Sequence, residues 1–403
     1  MLICKFKDKM SFLMYIIFLC ISSIKYSASI KNGLGCRDNE NRFVDWYVLY
    51  KIPKLSHSSN PLIRTGSAYM YITSDTVLHS DWNLSVKGIE NKTSIPGNTL
   101  ASLYNNGIAE NILSILYNDD PPDGKVIGKY GHAKGIVAAD HEQGFWMIHS
   151  VPNFPPIPNK NMSSRHNNKN NNLTIDALPS NFEYSYPTSG HVRGQSFLCI
   201  SLKADQLDIV GRQLIYNQII VYGKNLPNVL SNQYPTLTDA ANQIRIKNPP
   251  YKNKEIIKSS ASLEFVSFAK SSKWQQDLYS DFVAPQLKSN LFVESYLNGP
   301  GKLNSNCHGL EVHNVKSVKL QAANIQFEST QDHSKWVVTM NNKKNKSWVC
   351  IGDINRANTQ YNRGGGTVCL NLFYLWKNYR DSVNDIEPCP KRTIINKIKS
   401  LFG

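Results

Sequence analysis

The chain repeats itself, and that repeat limits its architecture more than any other feature. Residues 131–153 read GHAKGIVAADHEQGFWMIHSVPN and residues 332–355 read DHSKWVVTMNNKKNKSWVCIGDIN. Each copy holds His-x-Lys, an apolar strand, a polar turn, a second strand opening with Trp, and an Asn seven residues after that Trp. The copies are offset by 201 residues at the histidines (132 to 333) and by 202 at the asparagines (153 to 355), so one residue has been inserted in the turn. The likeness continues in RGQSFLC at 193–199 against RGGGTVC at 363–369, and in the runs DWYVLYK ending at Lys51 and EFVSFAK ending at Lys270. Such self-similarity describes a duplicated unit. A chain of 403 residues, 41% of them hydrophobic, can bury a core in each copy. We place the halves at residues 29–254 and 255–403. Residues 155–175, rich in Pro and Asn and without periodicity, read as a surface loop with no chemistry.

Each copy reads as a β-hairpin, with apolar runs on either side of HEQG in one and NNKKNKS in the other. Turns centred between 142 and 143 and near 344 set His132 opposite Asn153 and His333 opposite Asn355. Residues two apart on a strand share a face, so each hairpin is expected to present an imidazole, an ammonium and an amide together.

Those groups suit phosphodiester cleavage. One histidine can attack phosphorus, the other can protonate the leaving oxygen, and Lys134, Lys335 and the amides of Asn153 and Asn355 can meet charge on the equatorial oxygens. Two facing hairpins place attack and protonation on opposite sides of phosphorus. A lysine beside each histidine would repel a divalent cation, and no cluster of Asp and Glu accompanies them. Asp140, Asp332 and Asp353 remain as groups to orient imidazole. A mechanism driven by a substrate 2′-hydroxyl would restrict the enzyme to RNA. Trp146 and Trp348 read as core anchors, and His141 and His149 as structural.

Residues 1–28 have the form of a signal peptide: Lys5, Lys7 and Lys9, a short apolar run, and small residues at Ser27, Ala28 and Ser29. No second long apolar run follows, which implies no stable membrane association. Beyond the leader stand six cysteines, an even number, with no Cys-x-x-Cys pair or Cys/His cluster suited to zinc. Five Asn-x-Ser/Thr sequons, at Asn83, Asn91, Asn161, Asn172 and Asn345, point the same way, to the secretory pathway. The formal net charge is +15, or +12 once Lys5, Lys7, Lys9 and Lys25 leave with Asp8, a surplus that favours polyanions. Monomer and homodimer stay equally open.

The segments VDWYVLYKIPK (44–54), YNDDPP (117–122), GHAKG (131–135), GFWMIHSVPNFPP (144–156), SFAKSSKWQQDLY (267–279), DHSKW (332–336) and GDINR (352–356) closely resemble the deoxyribonuclease II family, across nearly the whole mature chain. That family lies in the phospholipase D-like superfamily. The resemblance implies a mixed α-β fold, a pseudo-symmetric duplicated αβαβα sandwich whose halves face each other across one active site. It implies cleavage of DNA through a phosphohistidine, with 3′-phosphate products, an acidic optimum and no metal or other cofactor. It places the site at His132, Lys134, Asn153, His333, Lys335 and Asn355. The repeats make the two histidines nearly symmetric and do not say which attacks; we take His132 as nucleophile and His333 as acid. It pairs Cys36 with Cys199, Cys307 with Cys389 and Cys350 with Cys369, and it suits a secreted or lysosomal protein. The superfamily's Asp seven residues after each histidine is absent, Ala139 and Met340 standing there, as in the deoxyribonuclease II branch. A lipid phosphodiesterase and an inactive homologue that binds DNA or host proteins are the competing readings. The intact pair of motifs opposes the second.

Overall fold

The structure is a computed structural model that describes residues 33–78, 81–105, 109–122, 124–158, 183–342 and 345–389. The leader, Asn161, Asn172 and most of the 155–175 stretch lie outside the described residues. The protein is a mixed α-β molecule built on two sheets. The first holds β1 (Trp46–Lys51), β2 (Tyr69–Thr73), β3 (Asn83–Leu84), β4 (Leu113–Asn118), β5 (Lys134–Ala139), β6 (Gln143–His149), β7 (Gln195–Lys203) and β8 (Val221–Asn225), in the order β3-β2-β1-β7-β6-β5-β4-β8. The second holds β9 (Lys252–Lys258), β10 (Glu264–Lys270), β11 (Leu291–Glu294), β12 (Val312–Leu320), β13 (Ile325–Glu328), β14 (Trp336–Thr339), β15 (Trp348–Gly352), β16 (Gly365–Asn371) and β17 (Val383–Ile386). Its order is β13-β12-β11-β14-β15-β16-β10-β9, with β17 beside β12. The sequence-matched strands β1-β7-β6-β5 and β10-β16-β15-β14 therefore stand in the same spatial order, continued by β4 in one sheet and β11 in the other. Strand β9, which spans the expected join at 254/255, belongs wholly to the second sheet.

Alternation along the strands explains how two sheets make one body. In β1, Trp46, Val48 and Tyr50 enter one core cluster and Tyr47 and Leu49 another. In β15, Val349 and Ile351 divide from Cys350 in the same way. The inner faces of both sheets share a single core that includes Trp146, Trp336 and Tyr379, whereas each outer face has a core of its own. A strand buried on both faces reads as a near-continuous apolar run, and Trp46–Tyr50 are buried throughout, with Lys51 buried at the end of the strand. The helix Ala204–Asn217 packs against strands of both sheets, burying Leu207, Val210, Gly211, Leu214 and Asn217 at helical spacing.

Both hairpins form, but in registers other than those expected. Val137 pairs with Trp146 and Val337 with Cys350, so each turn is centred nearer the N-terminus. The cause in the first is Asp140, whose Oδ1 accepts from the Glu142 and Gln143 N–H groups and draws the turn one residue earlier. Strand β6 accordingly opens at Gln143 and not at Trp146. The start of the expected surface loop is also corrected: Pro155, Ile157 and Pro158 are buried, with Ile157 packed on Leu116 and Tyr222.

Three disulfides join Cys36 to Cys199, Cys307 to Cys389 and Cys350 to Cys369, each within one half. Such bonds fit an oxidising compartment. No helix among the described residues is long and apolar enough to cross a membrane.

Candidate active site between the two sheets

His132 lies two residues ahead of the start of β5 and His333 three residues ahead of the start of β14, and each is fixed there by the opposite half. The His132 N–H donates to the Gly364 carbonyl at 2.9 Å, and the His333 N–H donates to the Gly194 carbonyl at 2.8 Å. In return the Gly364 N–H donates to the Tyr130 carbonyl at 3.1 Å and the Gly194 N–H to the Gln331 carbonyl at 3.0 Å. The Arg-Gly pairs of the repeat are thus exchanged between halves. Glycine is needed at this close approach, because a Cβ on Gly194 would lie 2.2 Å from Asp332 Oδ1 and one on Gly364 would lie 2.4 Å from the Asn217 carbonyl oxygen. The lysines that end the matching strands grip the segments that carry these glycines. Lys51 Nζ donates to the His191 carbonyl at 2.7 Å, and Lys270 Nζ donates to the carbonyls of Gln360, Tyr361 and Arg363 at 2.9, 3.2 and 2.7 Å.

The imidazoles are oriented across the same boundary. His132 Nδ1 lies 2.8 Å from Gln360 Oε1, and His333 Nδ1 lies 2.9 Å from the Ser150 carbonyl oxygen and 3.2 Å from Gln195 Oε1. Oxygen acceptors at Nδ1 assign the proton to that nitrogen in both rings, so each Nε2 keeps its lone pair. Asp140, Asp332 and Asp353, expected as orienting groups, touch neither ring. Asp140 shapes its turn. Asp332 accepts from the Tyr50 hydroxyl and from Ser334 Oγ, the latter at 2.7 Å, and Asp353 accepts from the Gly366 N–H at 3.1 Å.

The two His-x-Lys pairs share one electrostatic environment. Burial, foremost, and then Lys134, Lys335 and Arg363 push His132 down to about 3, against the opposing pull of Asp119. Burial followed by Lys335, Lys134 and His132 holds His333 well below its usual value. Lys335 is likewise held well below the usual lysine range by burial and then by Lys134. Lys335 Nζ lies 3.1 Å from His333 Nδ1 and donates to the His333 carbonyl at 2.6 Å. Lys134 is buried in an ion pair with Asp119, whose other oxygen accepts from Arg363 Nη2 at 3.1 Å. Burial pushes the Asp119 carboxyl up, but Lys134, His132 and Arg363 together bring it below the usual range.

The asparagines are not equivalent. Asn153 adopts φ 59, donates to Asp120 Oδ1 at 3.0 Å and the Pro121 carbonyl at 3.1 Å, and accepts from Ser189 Oγ at 2.9 Å. Its amide is committed to the loop that carries Asp119. Asn355 Oδ1 is buried without a hydrogen-bond partner. Tyr296 flanks the second histidine, its ring 4.8 Å from that of His333, with the Arg193 guanidinium 5.0 Å over its face.

Of the residues at the site, Asp119, Ser150, Gln195, Tyr296, Gln360 and Arg363 were not singled out from the sequence. The YNDDPP run and the repeated Arg-Gly pair were the signals for Asp119 and Arg363. His149 is a core residue, packed by Phe154 and Phe197. Cys307, His313 and Cys389 could in type hold a metal, but their sulfurs are joined to each other. Among the sequons, Asn91 and Asn345 are exposed and Asn83 is half-buried.

Comparison with known proteins identifies a hydrolase of the endonuclease class. The chain belongs to the deoxyribonuclease II family, whose model, described as Deoxyribonuclease II, matches residues 35–389. Similar proteins include plancitoxin-1 of Acanthaster planci, 38% identical over 89% of this chain and 93% of that protein. Cell death-related nuclease 6 of Caenorhabditis elegans is 34% identical over 89% of this chain and 90% of its own length. Deoxyribonuclease-2-alpha of Rattus norvegicus is 34% identical over 89% of this chain and 95% of its own length.

Proposed function

We propose that this protein is an acid endodeoxyribonuclease that hydrolyses DNA without a metal, on a duplicated phospholipase D-like fold with halves at 29–254 and 255–403. The observation that carries the reading is the reciprocal hold on two imidazoles, each oriented by the other half and each with Nε2 free. In the first step His132 Nε2 attacks phosphorus and forms the N–P bond as the P–O5′ bond breaks. Protonated His333 gives its Nε2 proton to the departing oxygen, which leaves as a 5′-hydroxyl. In the second, neutral His333 takes a proton from water, the water oxygen bonds to phosphorus, and the N–P bond breaks. A 3′-phosphate leaves and both rings return to their starting state. Lys134, Lys335 and the Asn355 amide meet the charge on the equatorial oxygens. Asn153 acts at one remove, through the loop of Asp119. The cations around the rings disfavour a dication at this site. Disulfides and leader suit export or a lysosome.

The test is plasmid nicking in excess chelator from about pH 4 to 8, beside hydrolysis of phosphatidylcholine and an alkaline quench to trap the phosphorylated peptide. Nicking in chelator with label on His132 is the expected result. Label on His333 reverses the two roles. Loss of nicking with chelator removes the metal-free mechanism, and lipid turnover in place of DNA turnover removes the substrate.

A further inference from the structure

A cavity of about 380 Å³ opens beside the segment that leads to His132, lined by Pro121, Ile127, Tyr130, Tyr222, Gln243 and Arg245 among others. Its volume falls in the range of small-molecule sites, which run from roughly 300 to 1,000 Å³. Chain and hydrogen bonds tie it to the site: Tyr130 is two residues before His132, Pro121 is two after Asp119, and Arg363 donates to both Asp119 and the Tyr130 carbonyl, at 3.1 and 3.0 Å. The Arg245 guanidinium stacks 3.8 Å above the Tyr130 ring, and its two Nη groups donate to the Gln243 carbonyl and to Gln243 Oε1, at 3.0 and 3.3 Å. Its Nε is buried and has no hydrogen-bond partner. The guanidinium's hydrogen-bond partners are neutral oxygens and no carboxylate pairs with it among the described residues, so its charge faces the cavity uncompensated and an anion there would be favoured. Lys129 Nζ stands 5.0 Å from the same ring, so the rim is basic, while Ile127 and Tyr222 offer an apolar wall.

We propose that this cavity is a nucleotide subsite that takes one nucleotide of the DNA strand next to the scissile phosphate, on the His132 side. The base enters against Ile127 and Tyr222, and the phosphate of that nucleotide lies against the cationic guanidinium of Arg245. The subsite rests on the nuclease reading and extends it from the scissile bond to its neighbour.

Steady-state cleavage of a defined oligonucleotide and of bis(p-nitrophenyl) phosphate, which has no nucleoside, tests it. Two variants are compared with the wild type: Arg245→Ala, which removes the donor, and Ile127→Trp, which fills the cavity while leaving Arg245 in place. Each should raise KM for the oligonucleotide about tenfold, with most of the loss in KM and little in kcat. The defect on the oligonucleotide should exceed that on bis(p-nitrophenyl) phosphate by at least about fivefold. An unchanged oligonucleotide KM in folded variants overturns the subsite and leaves the nuclease reading standing. Equal losses on both substrates overturn it as well. A wild-type protein that cuts bis(p-nitrophenyl) phosphate but no DNA removes the nuclease reading and the subsite with it.

Discussion

A histidine hydrogen-bonded to a carboxylate and one bonded to an amide oxygen are different acids. A carboxylate at Nδ1 would favour the imidazolium, whereas Gln360 and the Ser150 carbonyl orient the rings and add no negative charge. Burial and the lysines then hold both rings below their usual value in the free protein, and on the proposed mechanism a bound phosphodiester supplies the further negative charge that restores one proton. Nicking should therefore rise as pH falls below neutrality and fail once the attacking ring is protonated too, a bell on the acidic side in a pH–rate profile. Gln360→Glu should move the acidic limb of kcat upward by about one pH unit or more, since the new carboxylate stabilises protonated His132. Gln360→Leu, which leaves Nδ1 without an acceptor, should lower kcat by about tenfold to a hundredfold with a smaller change in KM. His132→Ala and His333→Ala should each abolish nicking while DNA binding, measured by retardation, survives on the basic surface. The histidines and lysines were legible in the sequence because duplication marked them twice. Gln360, Ser150 and Gln195 were not, since their role depends on which half lies opposite, and a single chain of letters carries no sign of that.

At the scale of elements, apolar runs on either side of a polar turn were enough to find both hairpins. Register was harder. A single Asx turn at Asp140 slides the first hairpin, and in a strand buried on both faces an apolar pattern cannot report the slip. The expected facing of His132 and Asn153 rested on that register, which is why the asparagine instead closes a loop. The crossing at Gly194 yields a sharper expectation. Gly194→Ala drives its methyl group into Asp332, itself buried and bonded to Tyr50, so urea unfolding should show a loss of roughly 1–3 kcal/mol. The same variant should lower kcat, because the Gly194 carbonyl holds the His333 backbone.

The whole molecule has one inner core, so both sheets should unfold together and respond jointly to pH. Two groups act in opposite senses. His132 is depressed from 6.5 to about 3, so its contribution is complete above about 6.5 and is lost as pH falls toward 3. Asp353, buried, is raised from 3.8 to about 7, so its contribution is complete below 3.8 and is lost as pH rises toward 7. Asp353→Asn should remove the second loss, so that stability rises between about pH 4 and 7 by an amount on the order of a few kcal/mol more than in the wild type, read from urea midpoints across that range. The two-sheet plan was legible from the repeat, but the shared core was not, because the chain does not say which faces of its strands are inner.

The exchange of Arg-Gly pairs also has a consequence in time. A ribosome delivers His132 early, yet the glutamine that orients it lies 228 residues downstream, and the carbonyl that anchors its backbone comes later still. Until those residues have been made, neither imidazole partner nor backbone acceptor exists for His132. On the proposed mechanism competence arrives only when the last quarter has folded back onto the first half, so an interrupted synthesis should release a fragment with no finished blade.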